Sequence, residues 1–278
     1  MLLRSTRSYE SGSSFSPAFL FLEPEKRRAL SALYGFARAV DDIADEPGAA
    51  PEKKEAALAA WKARLEDLFA GGPPRNSLEA DLIWAAGRFS MRLENLLLLL
   101  EGVGMDARPA GFGDLEALKA YMYRVASAVG LSCLEIFGWR GEKASAYAEN
   151  LGYAVQLTNI IRDVFEDARA GRVYLPAADL ARFGCSPSEL ENSIYPRNFV
   201  ELMRFEAERA RAFYAAAGAL AAAADGRKIL PALIMGRIYA ALLDKLEKRG
   251  FRTAGGRVRL DAFEKFRAVC AAWKDSFF

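Results

Sequence analysis

Histidine is absent from the 278 residues of this chain. Its absence excludes the Ser-His-Asp and Cys-His triads of nucleophilic catalysis, and it disfavours zinc, because histidine is among the commonest zinc ligands. The Glu-x-x-His motif of di-iron helical bundles is excluded for the same reason. Any chemistry must therefore rest on carboxylate, arginine, lysine and tyrosine side chains together with a bound cation.

Cysteines and long apolar runs are also scarce. The three cysteines, Cys133, Cys185 and Cys270, are widely separated and form no Cys-x-x-Cys pair, so we expect no disulfide framework and a reducing, cytoplasmic setting. The longest aliphatic run, residues 96–100, is far too short to cross a bilayer. The first residues, MLLRSTRSYESGSS, lack the apolar core of a secretory signal. Peripheral contact with a membrane surface stays open.

The composition itself predicts a helical protein. Apolar residues make up 52% of the chain and charged residues 27%, with a net charge of +2, which gives no reason to expect nucleic acid as a partner. Alanine is abundant, runs of β-branched residues are rare, and glycine and proline fall mostly between segments of helical periodicity. We therefore expect an all-α fold, organised as a single domain over residues 1–278 around a large core.

Apolar periodicity and helix-end signals predict the positions of the helices. Residues 102–113 are expected to form a loop, and Gly130 within a helix suggests close packing, a kink or room for a ligand. The expected helices cover residues 24–45, 51–69, 77–101, 114–137, 143–168, 199–224, 227–249 and 261–273, with short helices at 179–183 and 187–191.

One stretch, QLTNIIRDVFEDARAGRVYLP (residues 156–176), carries the strongest functional signal. Asn159, Asp163 and Asp167 follow one another at intervals of four, so on a helix they lie one above another. Asparagine and aspartate are poor helix formers, and three of them in register on an apolar helix are hard to explain by packing. The helical spacing and the missing loop glycine exclude an EF-hand. The pattern indicates an oxygen-ligand set for a cation.

A second acidic set lies much earlier in the chain. Asp41 and Asp45 are one helical turn apart, with Asp42 adjacent and Arg38 one turn before. A solvated helix end with an internal ion pair is the simpler interpretation of this set alone. However, the dipole at a helix C-terminus disfavours anions, so a bound cation explains three acids there better.

Magnesium suits both acidic sets. It binds one or two carboxylates and completes its octahedral shell with water and substrate phosphates. Two opposed acidic stripes are expected to hold several Mg²⁺ ions, and those ions would hold a diphosphate. Candidates for contact with the remaining diphosphate oxygens are Arg38, Arg162, Arg169, Arg172 and Arg257.

Aromatic residues occur within or near the same segments. At helical spacing such residues usually belong to the core, but beside a diphosphate site their ring faces could also stabilise a carbocation. Tyrosine hydroxyls could in addition orient a leaving group or relay a proton. The candidates are Phe15, Phe19, Tyr34, Phe36, Tyr121, Tyr123, Phe137 and Phe165.

Three motifs carry a family resemblance. YGFARAVDDIADE (residues 34–46), YMYRVASAVG (121–130) and LTNIIRDVFEDARAGRVYLP (157–176) resemble, in this order, motifs of the squalene/phytoene synthase family of head-to-head prenyl transferases. The resemblance covers nearly the whole chain. SGSSF and YRVASAVGL are most similar to the bacterial presqualene diphosphate synthases of hopanoid biosynthesis. Arg162 supports the similarity to presqualene diphosphate synthases, because the sister hydroxysqualene synthases usually have glutamine at that position.

The resemblance implies an isoprenoid synthase fold with a central cavity and the two acidic motifs on facing helices. It assigns Mg²⁺ and diphosphate binding to Asp41, Asp45, Asn159, Asp163 and Asp167. It also implies a catalytic role for Tyr121, together with the four aspartates of this set. The substrate-binding residues that it implies are Arg38, Arg162, Tyr239 and Arg257 for diphosphate, and Phe15, Phe19, Tyr34 and Gln156 elsewhere in the site.

The implied reaction is the Mg²⁺-dependent condensation of two farnesyl diphosphates to presqualene diphosphate, for which NADPH is not expected. Squalene, dehydrosqualene and phytoene synthases remain alternatives, because no residue decides how far the cyclopropyl intermediate is rearranged. A non-catalytic alternative is a helical assembly factor, although all five residues of the acidic motifs are retained. Enzymes of the downstream pathway are further candidate partners.

Overall fold

The computed structural model describes residues 22–46 and 48–276, which form helices joined by turns and loops without a β-strand. The prediction of an all-α fold is confirmed. In chain order the helices are α1 (Pro24–Ala44), α2 (Pro51–Phe69), α3 (Ser77–Phe89), α4 (Leu93–Ala107), α5 (Leu115–Met122), a π-helical turn (Tyr123–Ser127), α6 (Ala128–Phe137), α7 (Glu142–Arg169), α8 (Ala177–Phe183), α9 (Pro187–Glu191), α10 (Arg197–Ala221), α11 (Leu230–Lys248) and α12 (Ala262–Asp275).

Capping side chains determine several helix starts. Asn76, Asp114 and Asp261 each accept a hydrogen bond from a backbone N–H in the first turn of the following helix. These bonds satisfy donors that have no partner within the helix. α1 and α2 begin at a proline, which suits the first turn because its missing N–H is not needed there. The predicted starts of these helices are therefore close to those observed.

The prediction of a single helix over residues 77–101 is wrong. The chain breaks between α3 and α4, where Ser90 adopts a left-handed conformation (φ 52°) and the N–H of Met91 bonds to the carbonyl of Ala86. The prediction of a loop from residue 102 is also wrong, because α4 continues to Ala107. Neither glycine nor proline marks the break, and a serine with φ above zero is uncommon.

Close helix packing occurs at two glycines that flank the π-helical turn. A Cβ added to Gly152 of α7 would lie 2.7 Å from the backbone of Ser127, and one added to Gly102 of α4 would lie 2.6 Å from Cγ1 of Val125. At Gly130, where close packing was one expectation, an added Cβ would be at an ordinary 3.5 Å from Ala148. The turn is therefore held tightly between α4 and α7.

The core forms two clusters that share α7. Leu157, Ile161 and Phe165 of its C-terminal half pack with residues of α10 and α11, whereas Ala144 and Tyr147 near its start pack with α1, α3, α4 and α6. α7 is thus the central helix, and its half-buried polar stripe faces away from the first cluster. All three cysteines are free, and no helix in the described ranges is long and apolar enough to span a membrane.

Candidate active site

The structure brings the two acidic sets together in one cavity of about 720 Å³. Asp41 and Asp45 line it from the end of α1, and the stripe on α7 lines it from the other side. The one-turn spacing within each set directs the side chains of each helix toward the same space. Further lining residues that the sequence had indicated are Tyr34, Arg38, Gln156, Arg162, Tyr239 and Arg257.

Asp163 lies between two guanidinium groups. Nε of the buried Arg162 donates to its Oδ1 at 2.7 Å, Nη2 of the same arginine donates to Oδ2, and Nη2 of Arg257 donates to Oδ2 at 2.9 Å. Charge-assisted bonds of this kind hold a carboxylate in one orientation. Asp163 is therefore held in one orientation on the cavity wall.

Two other carboxylates are poorly compensated. Desolvation by the surrounding protein, together with the charges of Asp45 and Asp106, raises the pKa of Asp41 to about 7, and Arg38 opposes this rise. Burial also raises the pKa of Asp167 to about 7, with the charge of Asp163 adding to it. A cation bound beside these two carboxylates would favour their ionised form.

The donor set fits magnesium. Oδ1 of Asn159 is buried without a hydrogen-bond partner, while its Nδ2 donates to Oε1 of Gln156 at 3.3 Å. An amide oxygen without a donor, next to carboxylates, offers the oxygen ligands that Mg²⁺ prefers. Within the described ranges, no group of three or more acidic or cysteine side chains is arranged so that it could hold a metal ion by itself.

Arg172 links the segment after α7 to the end of α1, but it does not itself line the cavity. Its Nη1 donates to Oδ1 of Asp45 at 2.8 Å, and its Nη2 donates to the carbonyl of Ala44 at 3.1 Å. Asp42 instead pairs with Arg38 at 3.0 Å, and both side chains are about 60% exposed. The solvated ion pair considered for this helix end is thus present at Asp42, whereas Asp41 and Asp45 face the cavity.

Sequence reasoning missed Asp106, which lies near the end of α4. Its carboxylate accepts hydrogen bonds from the hydroxyls of Tyr121 at 2.9 Å and Tyr174 at 2.7 Å, and the two rings stack 5.3 Å apart. Tyr121 itself is buried behind Tyr174, which lines the cavity. Burial raises the pKa of Asp106, while the hydroxyls and Arg172 lower it. The only sequence signal was one aspartate in a segment expected to be a loop.

The aromatic candidates divide between the cavity and the core. Phe36, Phe137 and Phe165 are fully or almost fully buried in the core clusters, and Phe165 stacks on Phe199 with ring centroids 4.9 Å apart. These three phenylalanines are therefore core residues and do not line the cavity. Tyr123 is partly buried and packs against both clusters. Phe15 and Phe19 lie outside the described residues.

The cationic residues near the site also differ in whether they line the cavity. Arg169 is exposed, donates to the carbonyl of Phe165 at 3.0 Å and does not line the cavity, so its expected role in diphosphate contact is not supported. Two cations that sequence reasoning did not single out, Arg259 and Lys265, do line it. They belong to the loop before α12 and to its first turn.

The family model for squalene/phytoene synthase matches residues 9–264. This chain belongs to the squalene/phytoene synthase family. The family consists of prenyltransferases that join two prenyl chains head to head and use a divalent metal for their diphosphate substrates. The family predicted from the three sequence motifs is therefore confirmed.

Individual relatives carry different names. Presqualene diphosphate synthase of Zymomonas mobilis is 35% identical over 248 residues, covering 89% of this chain and 84% of the relative. Chloroplastic phytoene synthase of an Oncidium hybrid cultivar is 34% identical over 270 residues; the match covers 95% of this chain and 65% of that protein. The solved structure of a dehydrosqualene synthase with bound ligand superposes with a TM-score of 0.87 at 25% identity, covering 97% of this chain and 95% of the other.

Proposed function

We propose that this protein condenses two farnesyl diphosphates to presqualene diphosphate. The observation that carries the proposal is the single cavity in which carboxylates from α1 and α7 face each other beside arginine and lysine side chains. The similarity to the Zymomonas mobilis enzyme and the arginine at position 162 support this product. The phytoene synthases among the relatives make phytoene formation the second candidate.

The acidic sets would bind the metal. Asp41, Asp45, Asn159, Asp163 and Asp167 offer carboxylate and amide oxygens to Mg²⁺. The bound metal would neutralise the charge that develops on the departing diphosphate, which is the main barrier to forming an allylic cation.

Basic side chains would orient the diphosphate. Arg257 and Lys265 line the cavity from the segment before and at the start of α12, opposite the stripe on α7. Arg257 also reaches Asp163, so it lies where a diphosphate held by metal at that carboxylate would accept charge-assisted hydrogen bonds from it. Arg162 is buried, and we assign it the task of holding Asp163 in one orientation.

Tyr121, Tyr174 and Asp106 would form a proton path. Burial, together with the charge of Asp106, raises the pKa of Tyr121 well above its usual value, so this hydroxyl stays protonated. It can therefore accept a proton only if it passes its own to the Asp106 carboxylate, to which it already donates. Tyr174 makes the same contact from the cavity wall. This is one route for the proton lost as the cyclopropane ring closes; the released diphosphate is the other.

The direct test is product analysis. The purified protein is incubated with farnesyl diphosphate and Mg²⁺, with and without NADPH, and the products are identified by mass spectrometry. Presqualene diphosphate in both reactions supports the proposal. Squalene that appears only with NADPH, or dehydrosqualene, would identify a different end point. Preferential use of geranylgeranyl diphosphate to form phytoene would establish the second candidate.

Ligand binding separates an enzyme from an assembly factor that has lost the chemistry. We expect a non-hydrolysable thio-analogue of farnesyl diphosphate to raise the melting temperature when Mg²⁺ is present, because a ligand that binds only the folded state adds to its stability, by about 2.7 kcal/mol at a hundredfold excess over Kd. Differential scanning fluorimetry measures the shift, and the analogue with EDTA is the control. An unchanged melting temperature at saturating analogue and Mg²⁺ argues for the assembly factor.

A further inference from the structure

α12 presents an apolar face to solvent. Phe263, Phe266 and Trp273 have exposed fractions of 67%, 62% and 55%, and they are three of the five large apolar residues that are exposed in the described ranges. Their spacing of three and seven residues places them on one side of the helix, with the exposed Cys270 between them. Apolar side chains aligned in this way indicate a contact surface rather than scattered exposure.

The opposite face of α12 is firmly attached to the protein. Ala268 and Ala272 are buried on the side that packs against α11. Ion pairs secure both ends: Lys245 Nζ lies 2.6 Å from Glu264 Oε2, and Arg237 Nε lies 2.6 Å from Asp275 Oδ2. The aromatic face therefore points into solvent, because the opposite face of α12 packs against α11.

Basic residues border one edge of this aromatic face and precede it in the chain. Residues 248–267 contain seven arginines and lysines but only two acids, and three of the seven line the cavity. Of those two, Asp261 caps α12 and Glu264 is paired with Lys245. The exposed Arg267 and Lys274 lie along one edge of the aromatic face. Aromatic side chains bordered by basic ones are the pattern of a helix that lies in the surface of a membrane containing anionic lipids.

The aromatic face also lies next to the rim of the cavity. Lys265 lines the cavity, whereas Phe263 and Phe266, two residues before it and one after it, are exposed on the outside of the same helix turn. A surface that contacts this face therefore lies within one helix diameter of the rim.

We propose that α12 is a membrane-docking helix, in which Phe263, Phe266 and Trp273 enter the headgroup region of a bilayer while Arg267 and Lys274 contact anionic lipids. The geometry and charge of α12 are the only observations on which this docking surface is inferred. The purpose that we assign to docking rests on the proposed function. A product with two joined C15 chains is strongly apolar, and docking keeps the cavity beside the membrane into which that product partitions.

Vesicle flotation tests the proposal. The full chain is mixed, without substrate, with vesicles of phosphatidylcholine or of an equimolar phosphatidylcholine–phosphatidylglycerol mixture. We expect flotation with the mixed vesicles, reduced by salt because exposed charges are screened. Phe263→Ser combined with Phe266→Ser should reduce the bound fraction at least about tenfold, because two large apolar side chains no longer leave water. Ile194→Ser is the matched control, since Ile194 is 48% exposed but lies outside α12.

A second variant tests the role of charge. Arg267→Gln combined with Lys274→Gln should reduce binding to the mixed vesicles by about tenfold or more at low salt and leave binding to phosphatidylcholine unchanged. Thermal melts establish that each variant folds. The proposal is overturned if the wild type does not float, or if the phenylalanine variant floats as the wild type does.

Self-association of the protein through this face would also overturn the membrane-docking proposal. If sedimentation velocity without vesicles shows a wild-type dimer that becomes monomeric in the phenylalanine variant, the face is a contact between two copies of the chain. Turnover of farnesyl diphosphate in solution is measured for the same variants. A variant that loses flotation but keeps turnover supports docking, and absence of turnover in the wild type contradicts only the proposed function.

Discussion

At the scale of single residues, Asp163 and Asp167 occupy successive turns of α7 and yet have different surroundings. Two guanidinium groups fix Asp163, whereas burial raises the pKa of Asp167 to about 7. The charge of Asp163 adds to that rise. Asp167 is thus costly to keep ionised in the free protein, and a residue kept at such a cost is a candidate for ligand binding.

Asp167→Asn should therefore separate stability from activity. We expect kcat to fall by about 10²–10³, because one of the carboxylates that would hold Mg²⁺ against the diphosphate is lost. The free energy of unfolding without Mg²⁺ should stay the same or rise, because an uncompensated charge is removed. Urea titration and initial rates measure the two effects. Glu166→Gln is the control, since Glu166 is exposed and does not line the cavity; near-normal turnover by Asp167→Asn would contradict the metal-binding assignment.

Asp106 offers a second test at this scale. Asp106→Asn should lower kcat by about 10²–10⁴, the usual range for a lost proton acceptor, with little change in KM. Tyr121→Phe should have a similar effect. If the two residues act as one unit, the double variant loses no more than the worse single variant. Effects on kcat that multiply in the double variant would contradict a shared proton path.

The residues of the two acidic motifs could be identified from the sequence because their spacing of four is visible in it. Asp106 and Tyr174 could not, since they converge with Tyr121 only after α4, α5 and the segment following α7 are packed. A contact between residues so far apart in sequence leaves no periodic signal. Arg259 and Lys265 were missed for a related reason: they are two basic residues in a segment that contains many.

At the scale of helices, glycine shows where sequence reasoning reaches its limit. A glycine inside a helix indicates that something approaches closely, but not which glycine is in contact. The sequence drew attention to Gly130, and the structure places the close approaches at Gly102 and Gly152. Similarly, capping residues predicted most helix starts, whereas the break between α3 and α4 depends on the backbone conformation of Ser90.

Gly152→Ala should destabilise the protein by about 1–3 kcal/mol, because the new methyl group would overlap the backbone of Ser127 and push the π-helical turn away from α7. Gly104→Ala is the matched control. Gly104 lies within α4, and a Cβ there would be 3.8 Å from Leu58, so this variant should gain up to about 1 kcal/mol from helix propensity. Denaturant unfolding measures both, and equal stability of the two variants would contradict the tight contact.

At the scale of the whole molecule, one buried cluster makes stability depend on pH. Arg209 binds both Asp179 and Glu206, with Nη2 to Asp179 Oδ1 at 3.2 Å and Nη1 to Glu206 Oε1 at 3.1 Å. Glu206 is fully buried, and its Oε2 has no partner. Burial raises the pKa of Glu206 to about 7 from a usual value of 4.5; Arg209 opposes this rise and Asp179 adds to it.

Stability should consequently fall with rising pH in this range. Between pH 4.5 and about 7 the folded protein keeps a proton on Glu206 that the unfolded chain has released. The contribution of this group is therefore full below pH 4.5 and is lost as the pH rises to 7. Glu206→Gln removes this dependence and should raise the free energy of unfolding at pH 8 by about 2–3 kcal/mol.

Urea titrations from pH 5 to pH 8 measure the difference between Glu206→Gln and the wild type. It should grow with pH and level off above about 7. Glu201→Gln, at an exposed position of the same helix, should show no such trend. A constant difference at every pH would mean that Glu206 does not titrate in this range.

The ion pair between Arg172 and Asp45 has a further consequence for the metal binding proposed above. The guanidinium already occupies Oδ1 of Asp45 and a carbonyl at the end of α1. Under the proposed function, metal binding at that carboxylate would therefore exchange one cation for another, and the net affinity would depend on the difference between the two interactions. The displaced Arg172, which lies beside the cavity without lining it, would then be available to pair with the diphosphate that the metal holds.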